Sequence, residues 1–552
     1  MKKSVRIALS LIGSTLVTAL VYWLTLPPLN LRSEAFWMFL TGVILIYGIP
    51  LWLCLAPRSA APKNDGRKKT TPPRLKISPV LIIAAVLPLL VLFVGGLISS
   101  EIFNAKAYAS VITVEEAVFA EDMPEVDTVT NISLMDTDSA ILLGNRELGA
   151  LSDVVSQYEL SNDYNQINYQ NTPRKVANLE YADFFKWIGN ASRGVPGYVM
   201  VDPVNSEADY IELNKPLKYV DSAYFGDDLM RKLRFSYPTK IFGSVNFEID
   251  EEGNPWFIVS CLKPRVGMFG VPDVNEVIIF NPCDGTSTIH GVADTPAPWI
   301  DNVYDGYLAC DKYDWYGTLS GGWINSVVGQ KDCKQTTDDF GYIVRGDDVW
   351  YFTGVTSLTA DESNIGFMMS NARTGEYKYY PVVGAEEYSA MNAAEGEVQE
   401  KGYTASFPSL INIKGEATYI MVLKDKKGLV KLHALVNVKN FSIVATGDTQ
   451  EDAKKAYVTL LERNDLIDEE EPPVEDTLST TITVEDVRLA TVGGETVVYL
   501  TAQDGVVYKG RLTDDETLIL IQKGQVLEIT YVSTDHASIR QISLWSESTE
   551  AT

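Results

Sequence analysis

Val80-Leu-Ile-Ile-Ala-Ala-Val-Leu-Pro-Leu-Leu-Val-Leu-Phe-Val-Gly-Gly-Leu-Ile98 runs for about 19 residues without an Asp, Glu, Lys or Arg. At ~1.5 Å per helical residue, a run of that length crosses a ~30 Å hydrocarbon core. Two comparable runs precede it, Ile7–Leu26 and Ala35–Leu55, of about 20 and 21 residues. The three predict transmembrane helices at 7–26, 35–55 and 80–98, all within an N-terminal region 1–99. Everything beyond about Ser99 is too polar to follow them into a bilayer.

The basic residues set the expected orientation. Lys2, Lys3 and Arg6 precede the first run, and Arg58, Lys63, Arg67, Lys68, Lys69, Arg74 and Lys76 lie between the second and third against the single acid Asp65. Short Lys/Arg-rich loops stay cytoplasmic, so the expectation is a multi-pass plasma-membrane protein with a cytoplasmic N-terminus and an extracytoplasmic body. Tyr22 and Trp23 sit where an interfacial aromatic belt belongs, and no small-x-small site closely follows the first run, so it reads as an anchor and not a cleaved signal. Such a triplet does occur at Ala105-Lys106-Ala107, after the third run.

Charge divides the same way. Residues 1–77 carry 11 Lys and Arg against two acids, a net of +9, within a chain of net −27, which leaves −36 for the rest. That field repels nucleic acid and anionic polymers; it suits a solvated surface, cationic partners or loosely held divalent cations. Cys54 lies inside the second run, while Cys261, Cys283, Cys310 and Cys333 fall beyond the third. Four cysteines in an oxidising compartment form candidate disulfides with three connectivities, and Cys261–Cys283 with Cys310–Cys333 closes the shortest loops. Four free thiols is the alternative, and no zinc-type spacing occurs.

The fold class reads as α+β. Residues 100–240 form a membrane-proximal α/β domain, with a strand over Ala107–Val118, helices over Arg146–Glu159 and Leu179–Ile188, and a buried strand at Gly197–Val201. Residues 241–463 repeat a pattern. Phe247–Val259, Tyr342–Phe352 and Leu410–Val422 each read as a hairpin turning at Gly253, Gly346 or Gly415. A second hairpin follows each: Glu276–His290, Gly366–Tyr380 and Val430–Ala445. A helix follows in turn: Trp299–Tyr313, Ala385–Lys401 and Gln450–Arg463. Repeated hairpin-plus-helix units build surfaces more often than clefts. An acidic linker with Pro472-Pro473 spans 464–480. Residues 481–552 then form a small module whose six short strands, including Leu518–Ile521, imply an OB-like or SH3-like β-barrel.

No catalytic constellation emerges. The chain has three histidines, His290, His433 and His536, none in a nucleophile–base pattern; His433 reads as solvent-facing beside Lys431 and Asn437. Asp136-x-Asp138, Asp338-Asp339 and Asp347-Asp348 are the candidate metal pairs, with no reason to prefer one, and paired carboxylates of a hydrolase cannot be selected from spacing alone. Asn131, Asn190 and Asn440 open incidental N-x-Ser sequons. No cofactor is expected.

The runs Tyr237-Pro-Thr-Lys-Ile-Phe242, Phe247–Trp256, Asp361-Glu-Ser-Asn-Ile-Gly-Phe367, Glu387-Tyr-Ser-Ala-Met391 and Leu432–Thr449 resemble a family of uncharacterised Gram-positive bacterial membrane proteins, sometimes labelled cell-shape-determining. The resemblance covers about residues 195–460 and implies a plasma-membrane protein with a wall-facing domain; it carries over no catalytic or binding residues. The hairpin–helix units also look loosely like PepSY-type modules. The expected function is a membrane-anchored binding or scaffolding protein of the cell envelope, acting through protein or cell-wall contacts; the rival is a carboxylate-dependent wall or peptide hydrolase.

Overall fold

The computed structural model describes residues 3–55, 79–126, 134–294, 298–337, 339–358, 360–467, 477–492, 495–513, 515–532 and 538–544. The basic loop after the second apolar run, Asn131, Asp338 and His536 lie outside them, as does most of the acidic linker. The chain is α+β, and it divides into two units, Met1–Asn464 and Asp465–Thr552.

Three helices, Lys3–Thr25, Glu34–Leu55 and Pro79–Ser99, are long and apolar enough to cross a membrane. In hydrocarbon only internally satisfied backbone is tolerated, which makes helices of these runs. Polar groups along them bond inward: Ser14 donates to the Ile46 carbonyl (2.7 Å), and Thr15 and Tyr47 share a hydrogen bond of 2.8 Å. The body is pinned to the helix ends. The Ser99 hydroxyl oxygen accepts the backbone N–H groups of Met268 (2.8 Å) and Phe269 (2.9 Å), and Tyr108 donates to the Ser99 carbonyl. At the other exit, Leu29 N–H donates to the Pro238 carbonyl at 2.7 Å and Arg234 Nε to that of Leu26 at 2.9 Å.

Four antiparallel meanders follow, each of four strands in chain order, and further short strands extend the sheets built on the first, third and fourth meanders to five, seven and five strands. The meander of sheet I is Asn165–Tyr169, Thr172–Tyr181, Val195–Asp202 and Glu207–Leu217; that of sheet II is Ile241–Ile249, Pro255–Val266, Gly270–Phe280 and Ser287–Gly291. The meander of sheet III is Gly341–Arg345, Asp348–Ser357, Ala360–Asn371 and Tyr377–Tyr380; that of sheet IV is Ser409–Ile413, Glu416–Lys424, Val430–Asn437 and Val444–Gly447. Sheets II to IV contain the three repeated hairpin pairs. Sheet I is a fourth copy that the sequence concealed. Its first turn uses Gln170 (φ 52°) and Asn171 (φ 59°) where the others use Gly253, Gly346 and Gly415. Consecutive left-handed residues match the twist of a two-residue hairpin, normally with glycine. A short helix, Phe184–Asn190, also interrupts its central connection.

Neighbouring sheets share cores. Tyr198 and Val199 of sheet I pack with Phe247, Phe257 and Phe280 of sheet II, and the Tyr198 and Phe247 rings lie 5.7 Å apart. The core therefore runs across residue 240, where the sequence reading placed a domain boundary. Phe352, Phe367 and Tyr380 of sheet III pack with Leu410, Tyr419 and Met421 of sheet IV, under Ala390 and Ala394 of helix Glu387–Glu397. Burying an aromatic or aliphatic side chain of this size stabilises by roughly 1.5–3 kcal/mol.

Several local readings shift. Ala107–Val118 is helix Glu101–Ala109 followed by the short strand Val114–Glu116, because Ala105 and Tyr108 turn onto Val266, Val271 and Leu319. The helix expected at 146–159 lies at Thr137–Gly149, where Asp136 caps it by accepting the Ser139 N–H. Leu179–Tyr181 completes a strand, and Asp183 caps the helix after it. Asp305 similarly moves the next helix to Gly306–Leu319. Side-chain oxygens that take orphan helix N–H groups decide these starts.

The second unit, described by itself, has five strands: Thr477–Val492, Glu495–Ala502, Val507–Arg511, Val526–Val532 and Ser538–Leu544. The first pairs with both the second and the fourth; a single pair, Lys509–Ser538, links the third to the fifth. The expected strand Leu518–Ile521 is instead a 3-10 turn, Glu516–Leu520. Asp515 starts it by accepting the Thr517 N–H at 2.9 Å, and Leu518 fills the core.

Candidate functional site

The first strands of the sheets converge: Asn165–Tyr169 touches Ile241–Ile249 and Asp348–Ser357, and Gly341–Arg345 touches Ser409–Ile413. Between sheets I, III and IV lies a cavity of about 530 Å³. Gln166 and Lys175 enter it from sheet I, where they are cross-strand partners. Tyr342 contributes from sheet III, Ser409 and Lys424 from sheet IV, and Asp136, Asp138, Tyr307, Asp339, Phe340 and Phe407 from the segments between.

Lys175 is the distinctive group. It is 3% exposed, and its Nζ lies 5.2 Å from the centroid of the Tyr342 ring. Among the described residues its ammonium makes no hydrogen bond or ion pair, and the neighbouring Gln166 Oε1 is buried without a hydrogen-bond partner. Burial pushes the Lys175 amine down to about 8, against a smaller upward pull from Asp136. At neutral pH it stays mostly protonated, a cation held by little besides a ring face. The other lysine here differs: Lys424 pairs with Asp136, and hydrogen bonds from Lys424 and Ser139 overcome Asp136's burial to hold its carboxyl below the usual range. Tyr307 and Phe340 stack edge to face at 5.1 Å and give the cavity an apolar wall.

A second cavity of about 430 Å³ adjoins, sharing Tyr342 and Ser409. Its charges are matched. Arg174 pairs with Asp202, and Arg345 grips Asp122 through both guanidinium nitrogens at 2.9 Å; with Lys378 and Tyr380 this holds Asp122 well below the carboxylate range.

Two acids are buried outright where sheets I, II and III meet. Glu248 accepts the backbone N–H groups of Asp301 (2.9 Å) and Asn302 (2.8 Å), and burial still pushes it up to about 6. Asp301 accepts the Asn168 N–H at 2.6 Å and pairs with Arg373 at 3.2 Å; burial and the Glu248 charge both drive its carboxyl upward. Neither carboxylate lines either cavity. Fully tied to backbone and Arg373, the pair acts as a knot between sheets.

The residues singled out from sequence scatter. Asp136 caps a helix, Asp348 pairs with Arg373, and Asp347 accepts from Asn168. Among the described residues no group of three or more His, Cys, Asp or Glu is placed to hold a metal ion. His290 bonds Thr288. His433 is half-buried, and the Asn437 face expected in solvent is covered by helix Gln450–Arg463, whose Tyr457 hydroxyl accepts from Asn437. All four outer cysteines are free thiols. Cys261 faces the shared core of sheets I and II, whereas the Cys283 thiol donates to the Lys215 carbonyl. Cys310 packs in the core under sheet III, and Cys333 donates to the Thr318 carbonyl. The pairs 261–283 and 310–333 are thus not formed: each thiol has its own local partner or packing site. Lys175, Gln166, Glu248 and Asp301 escaped sequence reading; the lone signal was a lysine beside the apolar pair Val176-Ala177.

No protein-family model matches this chain, and no curated protein matches it in sequence.

Proposed function

We propose that the chain is a membrane-anchored, extracytoplasmic binding protein of the bacterial cell envelope whose cavity takes a small zwitterionic ligand of the amino-acid or short-peptide class. The observation that carries this reading is Lys175, a buried ammonium without an anionic partner, facing a cavity beside an unpaired amide oxygen. Asp136, itself paired with Lys424, attracts this charge less than burial disfavours it; keeping a poorly compensated charge in a low-dielectric site is unfavourable, and a ligand carboxylate would relieve it. Asp138 and Asp339 supply acceptors for a ligand ammonium, and Tyr307, Phe340 and Phe407 an apolar surface for its side chain. Few polar groups on an aromatic wall is the usual make-up of a small-ligand site.

The envelope setting rests on the three apolar helices, the basic cytoplasmic loop and the family resemblance. The second unit's pairing circuit fits a small barrel of the OB or SH3 type, serving protein or wall contacts. The hydrolase alternative gains nothing from Glu248 and Asp301, which have no access to either cavity.

The test uses the full chain in detergent, titrated calorimetrically with amino acids and dipeptides bearing free or amidated C-termini. Free carboxylates bind, the amides do not, and Lys175→Met abolishes binding. Equal binding of acids and amides, or no effect of the substitution, overturns the reading.

A further inference from the structure

We propose that two exposed apolar faces of the body lie in the membrane–water interface and seat it on lipid. The first lies beside the first span. Phe185 is 78% exposed, and Phe225 and Phe235 are more than half exposed. Two groups of rings make up this face, one of them against the span. Phe185 touches Phe184 at 5.7 Å, Phe184 touches Phe225 at 6.5 Å, and Phe235 lies 5.7 Å from Trp23 and 5.9 Å from Tyr22. Arg231 joins the parts: its guanidinium stacks 4.5 Å from the Trp23 ring and donates to the Phe225 carbonyl at 2.7 Å.

The second face adjoins the exit of the third span. Phe103 is 67% exposed, Ile324 72% and Val328 78%. Phe103 is on the helix that follows Ser99, and Ile324 and Val328 follow Trp323, which packs on the core of Tyr108, Val266 and Leu319.

Depth decides the occupant. Trp23 is two residues from the end of helix Lys3–Thr25, so at ~1.5 Å per residue its Cα lies about 3 Å inside the helix end. Phe269, on the Gly267–Gly270 hairpin turn, reaches Gly95, where an added Cβ would stand 2.5 Å from its ring; Gly95 lies four residues, about 6 Å, below Ser99. The body therefore meets two spans at the level of an aromatic belt, where rings with one apolar side are favoured. Apolar patches left bare on a soluble surface mark contact sites. These are continuous with membrane-crossing helices, so lipid is the partner that covers both.

The experiment places a photo-crosslinking phenylalanine analogue at position 185, 225 or 324 of the full chain, in phosphatidylethanolamine–phosphatidylglycerol liposomes. Position 252 is the comparison: the 12-residue strand Pro255–Val266 separates that turn from the membrane-contacting one, about 40 Å at ~3.3 Å per residue. Light-dependent lipid adducts at 185, 225 and 324, several-fold above position 252, are expected. Crosslinks to a second copy or another protein in place of lipid overturn the proposal, as does a yield equal to that at 252. The unaltered chain gives a parallel readout through a membrane-partitioned diazirine. Peptides containing Phe185 and Val328 become labelled; their absence from the labelled set is equally fatal.

Discussion

Replacing Lys175 by methionine stabilises the protein while removing its proposed function. Lys175 is fully enclosed, and burial lowers its amine from 10.5 to about 8. A shift of ~2.5 units corresponds to ~3 kcal/mol. The group is a base lowered in the folded state, so the full penalty applies below about pH 8, where both states are protonated. It fades between about 8 and 10.5, where only the unfolded chain holds the proton. Methionine has a similar length and no charge; it forfeits the cation–ring contact with Tyr342, worth ~1–2 kcal/mol when desolvated. The net gain at pH 7 is ~1–2 kcal/mol, shrinking towards zero as the pH nears about 10.5, where wild type has shed its penalty. Thermal unfolding of the full chain in detergent, followed by tryptophan emission, reads this as a rise of a few degrees at the lower pH, at ~2–4 °C per kcal/mol for a domain of 150–250 residues and less for a larger unit. A variant less stable than wild type at pH 7, or an offset that does not change with pH, refutes the reasoning. Lys175 would then be held by a compensating charge.

Glu387 titrates in the opposite sense: burial pushes its carboxyl up to about 7, so its stabilising contribution is complete below about 4.5 and is lost as pH rises towards 7. Glu387→Gln keeps an acceptor for the Gly354 N–H and should unfold with a shallower loss of stability between pH 4.5 and 8, by up to ~3 kcal/mol; parallel melting profiles for both proteins would show that the acid does not titrate there. Gln170→Gly should stabilise by ~0.5–1 kcal/mol, because a left-handed non-glycine residue is strained by ~1–2 kcal/mol and glycine returns part of that as unfolded-state entropy; a lower melting temperature would mean that the Gln170 side-chain contacts with Tyr169 and Glu251 outweigh the strain. An impermeant thiol reagent applied to intact cells should label a cysteine placed at Lys426 and spare one at Lys69, and labelling at 69 would invert the proposed orientation.

The three helices long and apolar enough to cross a membrane were legible because nothing tertiary is needed to read them: runs of 19 to 21 uncharged residues carry that signal alone. The hairpins of sheets II to IV were legible through Gly253, Gly346 and Gly415, whose positive φ is a local property of the turn. Helix Gln450–Arg463 was legible in full, its Thr449 cap and spacing being local as well. Sheet I was not, since Gln170-Asn171 adopts the same turn under strain that only the completed meander can impose. The cavity was beyond reach for a different reason. Lys175, Tyr342 and Lys424 come from three sheets, and the desolvation that lowers the Lys175 amine belongs to the packed assembly of strands and not to any stretch of the chain.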